Sequence, residues 1–286
     1  MKFRTEILVK PSEPGIGLGD HVAMLGSCFS DNIAGKLADA GFNVLRNPFG
    51  TLYNPSSIAS AIRRLDTIGP YTENDCVKMG AGSELVCSFE HHTSFARENE
   101  KEFLDNANAR LQESRTLWKG CTKVIITLGT AFVWKAISRG GMVVSNCLKR
   151  PAGEFSREML TVQECSSILK SITTAHPEKE FIFTVSPIRH LSDGAHANTL
   201  SKSTLHIAVE SAIAGTANAS YFPAYELMMD DLRDYRFWAK DMIHPSEVAV
   251  DYIWEKFIEA YIPEKDLAGL RANEKSSLRA RHRPLK

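Results

Sequence analysis

Two short stretches hold the residue types of covalent acyl chemistry. In HVAMLGSCFSDNIAGKL, residues 21–37, an apolar run meets Gly26, Ser27 and Cys28 and then a helical pattern. Gly26 permits a tight turn, and the residues after it fall at a helix N-terminus, where free backbone N–H groups and the helix dipole stabilise a developing anion. Main-chain donors at such a place can build an oxyanion hole. The attacking atom would be the Ser27 hydroxyl or the Cys28 thiol; a helix N-terminus and a neighbouring histidine both favour a thiolate. In DMIHPSEVAVDYIWEKF, Asp241 and His244 stand three apart, ahead of Val250, Ile253, Trp254 and Phe257 at helical spacing. A carboxylate so placed orients an imidazole and stabilises its protonated form. Each stretch alone also has an architectural meaning: Ser27 caps a helix, Cys28 fills an apolar gap, and Asp241 and His244 are loop or capping residues.

The elements around these residues alternate. Continuous apolar runs at 21–27, 42–48, 123–129, 181–187 and 219–223 predict strands buried on both faces. Between them, Phe103, Ala107, Leu111 and Leu117 mark an amphipathic helix, Thr161 with Glu164 forms a capping box ahead of Cys165, Ile168, Leu169 and Ile172, and Leu200, Thr204, Ile207 and Ser211 share one side of another helix. Strand alternating with helix predicts an α/β fold with a parallel sheet covered on both sides. Residues 131–147, with β-rich arms around Gly140 and Gly141, read as a hairpin inserted after the third core strand, and 69–96 as a long excursion before it. Ligands of such sheets bind beyond the carboxyl ends of the strands, which is where both chemical stretches fall.

Composition narrows the class. Of the 286 residues 43% are hydrophobic, while Lys plus Arg and Asp plus Glu stand at 34 each, so no global field draws nucleic acid or an anionic membrane. No apolar window has transmembrane length and the first residues lack a signal-peptide core, so a cytoplasmic protein is expected. Six cysteines without C-x-x-C or metal-ligand spacing predict free thiols and no metal. Residues 1–270 read as one domain and 271–286 as a basic, solvated tail.

Four blocks, GSCFS at 26–30, NPFGTLYNP at 47–55, SPIRH at 186–190 and DMIHPS at 241–246, together resemble the GSCFA family, a bacterial branch related to the SGNH (GDSL-like) hydrolases. The resemblance implies a flavodoxin-like three-layer α/β/α sandwich, ester or acyl-transfer chemistry, and no cofactor. Laid on the SGNH block G-D-S-L-x-D, Gly26 matches the glycine, Cys28 the nucleophilic serine and Asp31 the later aspartate. A shift of one residue puts Ser27 there instead, and both registers stay open. A Cys28 thioester would favour transfer over hydrolysis, as in capsule-type acetyltransferases with a G-N-C-Q-like block. Gly50 resembles the glycine whose N–H enters the oxyanion hole, with Tyr53 and Asn54 as pocket or turn residues. The third block departs from G-x-N-D: Gly129-Thr130-Ala131-Phe132 lacks the amide donor, leaving the Thr130 hydroxyl as its substitute. Without it the transition state would lose about 2.7–4 kcal/mol, the scale of one such donor. His92 falls where the family pattern also has a histidine. Adjacent His91 and His92 would face opposite sides of a strand, which argues against a metal site. Arg189 and His190 would join the same sheet edge, Arg189 meeting either a substrate carboxylate or phosphate or a buried acid.

The expected function is therefore an SGNH-like acyl esterase or acyltransferase acting on short O-acyl groups, acetyl foremost, of a carbohydrate or other small molecule. Cys28 or Ser27 would attack, His244 would move the proton and Asp241 would orient it. The alternative is a non-catalytic protein of this fold that binds a carbohydrate or a partner.

Overall fold

A computed structural model describes residues 4–12, 15–67 and 69–281. The chain runs β1 (His21–Gly26), α1 (Cys28–Asp39), β2 (Asn43–Arg46), α2 (Pro55–Asp66), a two-residue pair β3 (Val77–Lys78) and β4 (Val86–Cys87), then α3 (Glu100–Gly120) and β5 (Lys123–Leu128). It continues through β6 (Phe132–Ala136), β7 (Met142–Val144), β8 (Phe155–Met159), α4 (Val162–Ala175), β9 (Glu180–Val185), α5 (Ala195–Ile213) and β10 (Ala219–Tyr221). A single turn α6 (Ala224–Glu226) precedes α7 (Glu247–Tyr261) and α8 (Glu264–Arg281).

Five strands pair in parallel in the order β10-β9-β5-β1-β2, the flavodoxin-like arrangement. Alternate residues of each strand enter opposite cores. Val22, Met24, Ile125 and Ile182 meet Phe29, Ile33 and Leu37 of α1 and Ile253 and Phe257 of α7. Ala23, Leu25, Val124, Ile126, Phe181 and Phe183 meet residues of α2, α3, α4 and α5 on the other face, including Ile58, Leu111, Leu169 and Val209. Both faces of the central strands β1, β5 and β9 are covered, which is why those three read as continuous apolar runs.

From β1 the chain goes first to β2 on one side and then to β5 on the other, so a crevice opens at the carboxyl ends of β1 and β5. Gly26 ends β1 at φ +143°, paired with Thr127 of β5, and any Cβ there would be driven into the Thr127 carbonyl. The neighbouring loops are tied to this turn. Asn47, itself at φ +34°, accepts from the Gly26 N–H through Oδ1 at 2.9 Å and donates from Nδ2 to Asp31 at 3.0 Å.

The insertion after β5 is larger than a hairpin. β6 pairs antiparallel with β7 and also with β8, giving a three-stranded sheet separate from the core sheet. The Thr161 capping box forms, with the Glu164 N–H donating to Thr161 Oγ1 and the Thr161 N–H to Glu164 Oε2. Helix α5 is present but turned relative to its expected apolar side: Leu200 and Ile207 are 45% and 57% exposed, while Ser201, Lys202, Leu205, Ala208, Val209 and Ala212 are buried. The basic tail is helical and docked as far as Arg281. Asn273 Nδ2 donates to the Ala40 carbonyl at 3.0 Å, Ser277 Oγ to that of Asp39 at 3.1 Å, and Arg281 pairs with the Asp39 carboxylate. Residues 282–286 of that expected tail lie outside the described residues. No described helix is long and apolar enough to cross a membrane.

Candidate active site

Ser27 and Cys28 part company at the start of α1. Ser27 is the N-cap, with φ −70° and ψ 176°; its Oγ accepts from the Phe29 N–H at 3.3 Å and meets Ser186 Oγ at 3.0 Å. The residue is 0% exposed, so its hydroxyl joins the end of β1 to the end of β9 and is closed to a substrate. Cys28, the first helical residue, is partly exposed, and its N–H has no acceptor among the described residues. Its Sγ lies 3.6 Å from the Tyr53 hydroxyl. Between the two readings of the turn, accessibility favours the thiol.

His244 is set by a compact loop before α7. Asp241 Oδ1 accepts from the N–H groups of Ile243 and His244 at 2.9 and 3.0 Å, and Oδ2 accepts a hydrogen bond from the His244 Nδ1–H at 2.7 Å. Held this way the neutral imidazole carries its lone pair on Nε2, the arrangement of a general base. The two backbone bonds, followed by the one from the ring, hold the Asp241 carboxyl down at about 2, so it remains an anion at any working pH. The Arg189 N–H donates to the Ile243 carbonyl at 3.2 Å and fastens this loop to the end of β9.

Cys28 and His244 line one cavity of about 550 Å³ at the carboxyl edge of the sheet, together with Tyr53, Asn54, Thr130, Arg189 and His190. Its outer wall is the insertion: Phe132, Trp134, Arg157 and the 145–147 segment with Cys147. A larger groove of about 1190 Å³ runs along the segment before β1 and the end of α7, at the amino edge and away from these groups.

Three neutral donors line the cavity with Cys28. Burial, partly opposed by a bond from Thr51, pushes the Tyr53 phenol up to about 12, so it stays protonated. Asn54 caps α2 through Oδ1, which accepts from the Ser57 N–H at 2.8 Å, leaving its amide protons without a partner among the described residues. Thr130 Oγ1 accepts from the Phe132 N–H at 3.1 Å and meets Ser201 Oγ at 3.0 Å. When Ser201 donates, the Thr130 proton is free for a ligand. The N–H groups of Gly129 and Thr130 both donate to the Tyr53 carbonyl, at 2.7 and 2.9 Å, which locks this loop beside the thiol.

Two expected residues are not brought here. The Gly50 N–H donates to the Asn47 carbonyl at 2.8 Å within its own turn, so the oxyanion role expected of Gly50 is not met. His92 packs against Gly50, and its Nδ1 accepts from the Ser94 N–H at 3.2 Å to cap a short turn outside the cavity. His91 lies buried among Phe49, Tyr71, Phe95 and Phe103, bonded to Ser88. His190 does line the cavity, edge-on to Tyr53, with burial first and the charge of Lys202 second pushing it down to about 4.

Lys202 carried no sequence signal. It is 2% exposed, on α5, and donates to the carbonyls of Gly129 and Ser186 at 2.7 Å each, clamping the loops after β5 and β9 beneath the cavity. Burial, with no carboxylate partner among the described residues, lowers its pKa to about 7. The unfolded chain then binds the proton more tightly, so this group makes stability rise with pH from about 7 toward its ordinary range. Between pH 7 and 9 the stability of the wild type should gain about 2 kcal/mol relative to Lys202→Met. Urea midpoints of both proteins across that range check it, and parallel curves would refute it. Cys76, Cys87, Cys121 and Cys165, pushed up by burial, lower stability above pH 9 equally in both.

The model of the GSCFA family matches residues 21–257, from the first residue of β1 into the last turns of α7. The chain belongs to the GSCFA family. A comparison with curated proteins returns no match. The four blocks that resemble GSCFA sequences all fall at loops on the carboxyl edge of the sheet or at the helix starts that follow them.

Proposed function

We propose that this GSCFA protein is a cysteine-dependent acyl esterase or acyltransferase, a thiol relative of the SGNH hydrolases. The observation that carries the reading is the shared cavity of an accessible Cys28 at a helix N-terminus and a His244 oriented by Asp241. In the first half-reaction Cys28 Sγ forms a bond to the acyl carbon and the bond to the leaving oxygen breaks; His244 Nε2 takes the thiol proton and returns it to that oxygen. In the second, water or an acceptor hydroxyl attacks the thioester, its proton passes to His244, and the released sulfur takes it back. The Cys28 N–H, the Asn54 amide and the Thr130 hydroxyl are the donors available to the tetrahedral oxyanion, in place of the usual glycine and asparagine. Short acyl groups on a carbohydrate or other small hydroxylated molecule fit a cavity of this size and mixed polarity.

Peptide mapping by mass after rapid acid quench with an activated acetyl ester tests the proposal. An acetyl group on Cys28 that is lost in Cys28→Ala and persists in Ser27→Ala is the expected result. Labelling on Ser27 would return the chemistry to a serine hydrolase. No specific adduct would leave a binding protein of this fold.

A further inference from the structure

One charge of the cavity meets no opposite charge among the described residues. Its charged lining residues are Arg157, Arg189 and Asp193, the histidines aside. Arg157 is bonded to Asp193 at 2.5 Å and stacked on Phe132. Asp241 is committed to His244. Glu226, which shares Tyr225 as a neighbour with Arg189, is taken up by Tyr221 and His206. Arg189 has no carboxylate partner among the described residues.

Its guanidinium is nonetheless held in place. The group stacks on Trp238 at 3.8 Å and lies 5.8 Å from the ring of Tyr235, while its backbone is tied to Ile243 beside the catalytic loop. Stacking occupies the face of a guanidinium and leaves its in-plane N–H donors, the fork that matches a carboxylate or a phosphate. Arg189 lines the cavity and is half-buried, and a fixed, unneutralised fork at such an edge has a larger gain from an anion than an arginine free in water.

Resting on the acyl-transfer reading, we infer that Arg189 receives a carboxylate or phosphate borne by the molecule that reacts at Cys28. The substrate class is thus an anionic ester or thioester, and Arg189 acts as its specificity residue.

The test uses full-length protein and aryl acetates of matched leaving-group reactivity that bear a neutral amide, a carboxylate or a phosphate on the leaving group. The wild type should be acylated at least about tenfold faster, in kcat/KM, by the better anionic ester than by the neutral one. That ratio should fall toward one in Arg189→Gln and recover in part in Arg189→Lys. The two anionic arms tell carboxylate from phosphate. A wild-type ratio near one, or a ratio kept in Arg189→Gln, overturns the inference. Should no ester acylate Cys28, the acyl-transfer reading fails and the anion site is decided separately, by calorimetric titration of inorganic phosphate and of succinate into Cys28→Ala and Cys28→Ala/Arg189→Gln. Binding lost with Arg189 supports the anion site; no binding to either protein overturns it.

Discussion

Replacing His244 with alanine should slow acylation of Cys28 by a short ester on the order of 10²–10⁴-fold, the range that a positioned acid–base group supplies. The geometry gives the reason. Asp241 holds Nδ1 as the proton-bearing nitrogen, and in the proposed mechanism Nε2 takes the thiol proton within the shared cavity. Asp241→Asn should show a smaller but distinctive loss. An amide oxygen can still accept the two backbone N–H bonds that Asp241 Oδ1 now takes, so the loop survives. The amide nitrogen, however, would donate toward Nδ1 and turn the ring to the wrong tautomer. Stopped-flow release of the aryl leaving group measures both variants. Rates equal to wild type in His244→Ala would show that the thiol reacts without this base and would remove the pair from the mechanism.

The second large effect is on folding. In Gly26→Ala the new methyl would enter the Thr127 carbonyl at a backbone angle that L-residues avoid. Strain of this kind costs about 1–3 kcal/mol by itself. Relief requires β1 and β5 to separate at their shared end, which also disturbs the Asn47 bond to the Gly26 N–H. A total loss of about 3 kcal/mol or more is expected, read as a lower denaturant midpoint at unchanged slope. The contrast is Gly153→Ala, also in the insertion, where an added methyl meets no atom within 4 Å and the backbone is not left-handed. Equal midpoints for Gly26→Ala and wild type would refute the account.

Much of this architecture was legible because the three central strands β1, β5 and β9 are sealed on both faces and so read as unbroken apolar runs, while all five runs end within a residue or two of where the strands end. The capping box at Thr161 and the loop pair Asp241 and His244 were legible because local spacing alone decides them. Choosing between Ser27 and Cys28 was not, since it depends on Ser186, a residue 159 positions away that engages the serine. Gly50 and His92 misled for a related reason. They pack against each other, and their polar groups serve their own turns. In helix α5 the spacing of Leu200 and Ile207 points to the wrong core side, whereas the buried side holds a lysine that satisfies two strand-end carbonyls. A long amphiphilic side chain buried for its hydrogen bonds leaves no hydrophobic period to detect.

The three-stranded insertion carries a further consequence. Cys28, His244 and Asp241, the proposed nucleophile, base and carboxylate, all hang from the core, whereas Phe132, Trp134 and Arg157 stand on a small sheet that, among the described residues, shares no strand pairing with it. Selection can therefore recast the outer wall, residue by residue or as a transplanted cassette between β5 and α4, while the reacting atoms keep their places. Diversification within such a lineage would accumulate in that cassette, and a chimaera exchanging it would inherit the donor's substrate preference on the recipient's chemistry.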